Sequence, residues 1–414
     1  MANSISSNYR KIVPLNMIRF IKKEILHFKN LPKKAQKLLI SFFFYATAFP
    51  MISIFINAFI WQNNNNISYL IFFRAAQFFI IPLAFLLGGI LLKVARINIL
   101  YFIGSLFIVI SSVLIIFFKN NTTLSFLIMG GLMGLGTGLY WINRSFLTMK
   151  ETNDGNRSYF FGLLFSFATL IGLVITLAVG WLIVFGLSYG LLMTVAFILI
   201  ISSGIVVLKM DFETPKIGKL FIRNSSHIWT RKRFINLGIG LVDGMAWVIP
   251  GLLILTVLGN EGVLGTLTAA SSIISAVLIY YYGRKSHSKD NKTYFIASVI
   301  LALVTALLIA LVFNKFTVIV YSLFNGLIIS FMWLTIVPPI LKNIDFEVGW
   351  IEEKRFSYIF DSEFFLNIGR IISLIVCLFI AFYYGTENSL RFSPLILSIL
   401  QVLLFVYLEQ FKKT

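Results

Sequence analysis

Twelve long apolar runs, separated by short polar segments, constrain this chain more than any other feature. They are Lys37–Trp61, Ile67–Leu92, Ile97–Phe118, Leu124–Asn143, Tyr159–Leu187, Tyr189–Met210, Ile235–Leu258, Gly262–Gly283, Tyr294–Phe313, Phe316–Leu341, Tyr358–Tyr384 and Pro394–Tyr407. We number them spans 1 to 12; the last has room to start earlier, near Leu390. About 20 apolar residues carry a helix across the hydrocarbon core of a bilayer, so each run reads as a membrane-spanning helix. The separators carry turn signals: NNNN at 63–66, NNTT at 120–123, NDGN at 153–156 and GNEG at 259–262. Several are only a few residues long, which makes neighbouring spans antiparallel. No cleavable signal precedes span 1, because the first apolar run starts late and is long enough to cross.

Composition agrees and then raises a second question. Charged residues make up 12% of the chain and hydrophobic ones 58%. Soluble domains carry about 25% charged residues, so a soluble or disordered chain is excluded. Yet the formal net charge is +19, from 35 Lys plus Arg against 16 Asp plus Glu, a balance that elsewhere suggests nucleic-acid binding. Position removes that reading. With the N-terminus inside, the outer loops hold only Lys119, Lys315 and Arg391 as basic residues. Arg74, Arg144 and Arg370 lie in or at the edge of spans, and the rest fall in tails and inner loops. This asymmetry predicts a multi-pass protein of the cell membrane, both termini cytoplasmic, with an even number of spans. The partners it implies are membrane lipids and no nucleic acid.

Chemistry of other kinds finds no support in the sequence. One Cys and three scattered His (His27, His227, His287) form no metal-ligand set. No nucleophile–base pair or Gly-Lys-Ser/Thr phosphate loop is present, so neither an enzyme nor an ATP-driven pump is expected, and no cofactor.

The chain divides into a basic tail (1–36), a first bundle (37–210), a basic linker (211–234), a second bundle (235–409) and a short tail (410–414). In the first tail, Asn16–Leu31 puts Met17, Ile18, Ile21, Ile25 and Phe28 on one helical face. Arg19, Lys22, Lys23 and Asn30 lie on the other. Such a helix lies in the membrane interface; docking of a soluble partner is the alternative. A linker near the midpoint suggests duplication. YWINRSFLTMK (140–150) ends span 4 and MWLTIVPPILK (332–342) ends span 10, each with eight residues between Trp and Lys. RSYFF (157–161) opens span 5 and FSYIF (356–360) opens span 11.

On these features the chain resembles the major facilitator superfamily, and more narrowly a group of such transporters from Gram-positive bacteria. The residues that carry the likeness are ISIFINAFIWQ (52–62), GLGTGLYWINRSFLTMKETNDGNRSYFFG (134–162), GLVDGMAWVIPGLLIL (240–255), YYYGRKS (280–286) and FFLNIGRII (364–372). The resemblance covers essentially the whole membrane region. One departure concerns the loop between spans 2 and 3, where the family usually carries a Gly, an acid and several basics. Here GGILLKVARIN (88–98) has Lys93 and Arg96 but no acid, and GRKSHSKDNK (283–292) after span 8 is similarly degenerate. What the resemblance implies is an all-α membrane protein of twelve transmembrane helices in two pseudo-symmetric six-helix bundles. Spans 1, 4, 7 and 10 would line a central cavity, flanked by 2, 5, 8 and 11, with 3, 6, 9 and 12 against lipid. The polar residues sort accordingly: the interiors of spans 3, 6, 9 and 12 carry no charged residue.

Charges left in the membrane are costly and must face protein or water. Asp243 lies eight residues into span 7, about 12 Å along the axis. Burial raises a carboxyl's pKa and a nearby Arg lowers it, so Asp243 is a candidate proton carrier or a permanently paired packing residue. Arg74 lies seven residues into span 2, with Gln77 on its face and Asn57 of span 1 at similar depth. It suits binding of an anionic group, gating, or a structural pair with a carbonyl or Asn. Arg370 of span 11, with Asn367 and Glu363 on its face, needs a partner from another span. Asp361 and Glu363 begin span 11 where water can reach them, and Arg144 at the inner edge of span 4 is expected to snorkel. Asn325 is the polar residue of span 10. Gly130, Gly134 and Gly138 permit close helix packing in span 4, or flexing. Pro250 of span 7 and Pro338 and Pro339 of span 10 mark kinks or breaks. Trp141, Trp247 and Trp333, beside Tyr140, would pack on an apolar substrate or anchor at the interface.

Together these residues point to a secondary active transporter, expected as a monomer, that moves a small amphiphilic or anionic molecule by alternating access. Proton-coupled export is the form they favour, since few hydrogen-bonding groups of the kind a sugar carrier needs are evident. A flippase for lipids or lipid-linked precursors on the same fold, and a non-transporting membrane sensor or partner protein, are the alternatives.

Overall fold

The structure, a computed structural model, describes residues 28–29, 31–117, 122–152, 157–215, 217–223, 225–285, 291–348 and 352–412. Side chains at 149, 157–158, 161–162, 165, 279–285, 291–292, 294, 333–343, 345–346, 352 and 409–412 lie outside that description. Nearly all of the amphipathic segment Asn16–Leu31, and the side chains of Trp333, Pro338 and Pro339, are therefore outside the described residues.

Among those residues the chain is all-helical. Eleven helices are long and apolar enough to cross a membrane, and Phe295–Leu311, in span 9, is a shorter apolar one. Together they make two bundles of six spans. Span 1 consists of Lys33–Ser53 and Phe55–Asn64, interrupted at Ile54, and span 7 of His227–Ala246 and Ile249–Leu258, interrupted at Trp247 and Val248. Both interruptions fall in the first span of their bundle.

Several helices outrun their apolar runs at polar ends. Span 7 begins at His227, eight residues before the run at Ile235, because Ser226 caps it by accepting from the backbone N–H of Trp229 at 3.0 Å. Lys232 and Arg233, assigned to the linker by composition, thus sit on the helix. Span 12 begins at Thr386, directly after Gly385, whose φ of +87° ends span 11. Arg391, an outer-loop charge on the sequence reading, lies in that first part of span 12. Its guanidinium donates to the carbonyls of Ala310 and Leu311 at the end of span 9 (2.9 and 3.2 Å). Span 10 shows no break at Pro338 and Pro339: its helix is continuous from Lys315 to Val348. The two prolines forfeit only the N–H bonds owed to Leu334 and Thr335, and the turns on either side hold the helix.

Small residues set how closely the spans approach. A Cβ placed on Gly130 would overlap the Phe73 carbonyl of span 2; on Gly134 it would stand 2.5 Å from the Gln77 carbonyl, and on Gly138 2.6 Å from Ala84. Span 4 therefore lies backbone against backbone on span 2, at the level of Arg74. In the second bundle Gly240 and Gly244 of span 7 press on Leu366 and Arg370 of span 11, and Gly369 presses back on Leu237. Membrane helices draw together by such packing, since lipid supplies no hydrophobic drive between them.

The bundles touch at both ends. At the linker end Phe356 of span 11 stacks on Phe146 (6.4 Å, 4°) and on Phe360 (6.3 Å, 4°). The linker is tied there by Lys150–Glu213 (2.8 Å) and by the Gly218 N–H donating to the Glu353 carbonyl (3.3 Å). The hydrogen bond and charge of Lys150 hold the Glu213 carboxyl below the ordinary carboxylate range. At the opposite end the Tyr189 hydroxyl donates to Glu261 (2.5 Å) and Trp181 Nε1 to Thr266 (3.0 Å).

Packing at the glycines yields a paired expectation. Gly130→Ala should cost about 1–3 kcal/mol by overpacking against the Phe73 backbone. Gly131→Ala, whose Cβ would meet nothing nearer than 3.8 Å, should be neutral or stabilising through helix propensity. Thermal unfolding of the two variants in detergent separates them; equal melting temperatures would contradict the packing.

Candidate functional site

The buried polar residues of both bundles converge on one hydrogen-bonded chain. Arg74 is 3% exposed. Its Nε and Nη2 donate to Asn57 Oδ1 (3.0 and 2.5 Å), Nη1 to Gln77 Oε1 (2.7 Å), and Nη2 also to the Ser53 carbonyl (2.8 Å). Asn57 Nδ2 then donates across the bundle boundary to the backbone carbonyl of Trp247 (2.8 Å). Trp247 Nε1 donates to Asp243 Oδ2 (3.0 Å), one helical turn away. Asp243 also accepts from Arg370, at 2.8 Å from Nε and 2.7 Å from Nη2. Arg370 Nη1 donates to Asn367 Oδ1 (3.2 Å), and Asn367 Nδ2 contacts both the carbonyl (2.8 Å) and Oε2 (3.4 Å) of Glu363.

The interruptions in spans 1 and 7 make this chain possible. At Pro250 the N–H that would serve the Ala246 carbonyl is missing, the helix stops, and the Trp247 carbonyl turns to Asn57. In span 1 the interruption at Ile54 leaves the Ser53 carbonyl to Arg74. Irregular backbone at membrane depth is tolerated where protein or a cavity satisfies it, and here side chains of the opposite element do so.

Aromatic rings cross the boundary reciprocally. Arg74 of the first bundle lies 5.4 Å from the ring of Trp247 in the second, and Arg370 of the second lies 5.0 Å from Phe78 in the first. Phe78 and Trp247 meet edge to face at 6.0 Å. Desolvated cation–π contacts of this kind are worth up to about 2 kcal/mol.

Electrostatically the two arginines differ. Arg370 has a carboxylate; Arg74 has four of its five N–H donors on neutral oxygens and none, among the described residues, on an acid. Two cavities lie beside them and share Phe49, Ser53, Trp141, Trp247, Glu363 and Arg370 in their walls. The larger, about 770 Å³, is bordered by Ser53, Asn57, Asp243, Trp247, Glu363 and Arg370, and by the polar face of spans 8 and 10. The smaller, about 40 Å³, reaches Arg74 and Gln77 behind Phe49, Trp141 and Trp247.

The sequence had singled out Asn57, Arg74, Gln77, Asp243, Glu363, Asn367 and Arg370, and the structure brings all seven together; Asn325 borders the larger cavity opposite them. Trp141 and Trp247 line the cavities rather than anchoring at an interface. Arg144 lies 5.0 Å from the ring of Phe42. Asp361, expected among solvated charges, is held by Arg233 in a two-pronged bond (both 2.8 Å) and by Trp229 Nε1 (2.8 Å). Sequence reasoning missed that cluster because Arg233 was counted as loop charge. It also missed the hydroxyls: Thr268, Ser271, Ser272, Ser322 and Ser330 all border the larger cavity, which is less sparing of hydrogen-bonding groups than the sequence suggested. Their spacing, three and four on span 8 and eight on span 10, was the available signal.

No protein-family model matches the chain. It is similar to the uncharacterized protein YqgE of Bacillus subtilis (strain 168), 23% identical over 380 residues that cover 89% of this chain and 87% of the relative. An uncharacterized protein in the sodM 3′ region of Geobacillus stearothermophilus is 29% identical over 144 residues, covering 34% of this chain and 65% of that protein. Among solved structures, the human organic anion transporter MFSD10 (TETRAN) matches with a TM-score of 0.58 and 11% identity. That match covers 91% of this chain and 100% of that one. At that identity the match shows the fold: the chain shares the two-bundle architecture of that structure, in a multi-pass membrane protein.

Removing one member of a buried ion pair leaves the other uncompensated and costs about 3–5 kcal/mol. Asp243→Asn and Arg370→Gln should each destabilise the protein by that order, and the double variant by clearly less than their sum. Thermal or denaturant unfolding of the four forms measures the coupling; strict additivity would mean the pair is not formed.

Proposed function

We propose that the protein is a secondary transporter that exports a small organic anion by alternating access between its two bundles, in exchange for protons. The observation that carries this reading is Arg74: a buried guanidinium beside a cavity between the bundles, bonded to Asn57, Gln77 and the Ser53 carbonyl but to no described carboxylate. Its positive charge is solvated by dipoles and left un-neutralised, which favours an anion entering from the cavity. The name of the structural neighbour, an organic anion transporter, agrees in substrate class.

Asp243 supplies the coupling. It accepts from Arg370 and from Trp247, and Trp247 is joined through Asn57 to Arg74. Protonating Asp243 would remove the counter-charge of Arg370 and weaken the Trp247 bond, so proton and anion occupancy act on one chain of contacts. Linkage then makes the effect mutual. The carrier performs no covalent chemistry on its substrate. We place it in the plasma membrane as a monomer among lipids, both termini cytoplasmic, on the charge asymmetry of its loops.

Transport in proteoliposomes tests the mechanism with radiolabelled benzoate, glucuronate and 2-oxoglutarate as probes. Wild-type protein should carry at least one of them, faster under an opposing proton gradient. Arg74→Gln should lower that flux at least about tenfold, and Arg74→Lys should rescue little, because a point charge cannot hold the fork of acceptors. Asp243→Asn should abolish the gradient dependence. Flux that ignores both this substitution and a collapsed gradient would sink the coupling.

Topology is tested by labelling. Cys377, the single cysteine, is buried, so it gives little background. A cysteine at Asn63 should react with an impermeant maleimide on intact cells, and one at Gly218 only after permeabilisation. The reverse pattern would invert the assigned orientation.

A further inference from the structure

The wall of the larger cavity opposite the charged chain is neutral and carries unused hydrogen-bonding groups. Ser322, Asn325 and Ser330 lie on one face of the span 10 helix, at spacings of three, five and eight that keep them within one side. All three border the cavity. Ser322 is 5% exposed, and its hydroxyl is buried without a hydrogen-bond partner. That is costly for a buried polar atom unless something outside the protein pairs with it. The Asn325 amide and the Ser330 hydroxyl are likewise given no protein partner among the described residues.

Span 8 completes this wall. Gly326 lets Ser271 approach: a Cβ at Gly326 would stand 2.5 Å from the Ser271 Oγ, and the Gly326 N–H donates to that oxygen at 3.1 Å. Ser271 is thus an acceptor toward span 10, and its own proton is left for the cavity. Thr268 and Ser272 direct their protons to carbonyls of their own helix (2.7 and 2.9 Å), leaving oxygen lone pairs on the cavity side. Donors and acceptors therefore alternate along one surface, with no charge among them. A surface of that kind complements hydroxyl groups, which also donate and accept; a hydrocarbon tail would strand every one of these atoms.

We infer that Ser322, Asn325 and Ser330, with Ser271, form a subsite for the hydroxyls of the solute, so that the transported anion is a polyhydroxylated acid. This rests on the reading of Arg74 as the anion anchor. The hydroxylated body lies in the larger cavity against spans 8 and 10, and the carboxylate is directed to the side of Asn57 and Trp247, behind which the smaller cavity reaches Arg74 and Gln77. About 770 Å³ is within the range of small-molecule sites, roughly 300–1,000 Å³, and takes a sugar-sized acid with accompanying water.

Three probes of similar ring size test it on the purified full-length protein, by ligand-induced shift in melting temperature across a titration. They are D-glucuronate, cyclohexanecarboxylate (same charge, no hydroxyls) and methyl glucoside (hydroxyls, no charge). Glucuronate should bind at least about tenfold more tightly than cyclohexanecarboxylate, since sites built to bond a hydroxyl discriminate strongly against its loss. The Ser322→Ala/Asn325→Leu/Ser330→Ala variant should reduce that preference to about twofold or less while leaving cyclohexanecarboxylate unchanged. Because these groups bond no described residue, the ligand-free variant should melt no lower than wild type, which a structural role would not allow. Equal binding of the two acids, no binding by any probe, or a preference that survives the triple substitution would overturn the subsite. Methyl glucoside binding as well as glucuronate, with the preference still lost in the triple variant, would keep the subsite and reject the anion anchor instead.

Discussion

Two guanidinium groups buried in the membrane dictate much of this architecture. Neither can face lipid, where a charge costs several kcal/mol on most estimates, so each must be solvated by the protein. Arg370 is solvated by Asp243 and Asn367, and Arg74 by Asn57, Gln77 and the Ser53 carbonyl. Around Arg74 that demand draws on backbone oxygens free of helix bonding: the Ser53 carbonyl accepts from Arg74 itself and the Trp247 carbonyl anchors its ligand Asn57, where spans 1 and 7 are interrupted. The interruptions, the Pro250 that enforces one of them, and the carbonyls of Ser53 and Trp247 are one device. Broken helices at corresponding places in two repeats are a recurring mark of transporter binding sites.

The glycines serve the same end. Arg370 reaches Asp243 because Gly240 and Gly244 bring span 7 onto span 11, with the Ser373 hydroxyl and the Arg370 backbone filling the space a larger residue would need. Gly130 and Gly134 seat span 4 on span 2 around Phe73 and Gln77, the residues flanking Arg74. Each arginine thus projects from a helix fixed within its own bundle, while its aromatic contact belongs to the other bundle. Between the bundles run the ring contacts, the Asn57–Trp247 hydrogen bond, and the Tyr189–Glu261 and Trp181–Thr266 bonds. Gly180 of span 5 and Gly265 of span 8 also bring the backbones together there, against Glu261 and Thr176, so small residues seat the boundary as closely as they seat each bundle.

Much of this was legible in the sequence because polar residues in apolar runs are conspicuous. Arg74 and Gln77, Asn367 and Arg370, and Asp243 and Trp247 each sit three or four residues apart, so their shared faces follow from helical geometry alone. What pairs across elements was not legible. Nothing in the local pattern says that Asp243 meets a residue 127 positions away, or that the acceptor for Asn57 is a backbone oxygen. Arg233 was misread for a related reason: the span 7 helix continues past its apolar run under a Ser226 cap, and a basic residue on a helix end looks like loop charge until Asp361 is placed beside it. At Pro338 and Pro339 the sequence offered a kink or a break, and the helix is continuous there, so of the two the break does not occur.

The asymmetry between the two arginines bears on how the site works. At Arg370 the compensating charge is a fixed part of the chain, so the pair is neutral whenever Asp243 is ionised. At Arg74 compensation by neutral oxygens lowers the cost of burial but leaves the field in place, and the low-dielectric wall of Phe73, Phe78 and Trp247 does little to screen it. Asp243 borders the larger cavity and Glu363 borders both, whereas Arg74 reaches only the smaller. The acids of the network thus gather on the Arg370 side, with Glu363 joined to Arg370 through Asn367, and none of the described ones bonds Arg74. The two arms of one network therefore differ in kind: a closed ion pair at Arg370, and at Arg74 a charge held by dipoles alone, whose field is left for whatever enters the small cavity beside it.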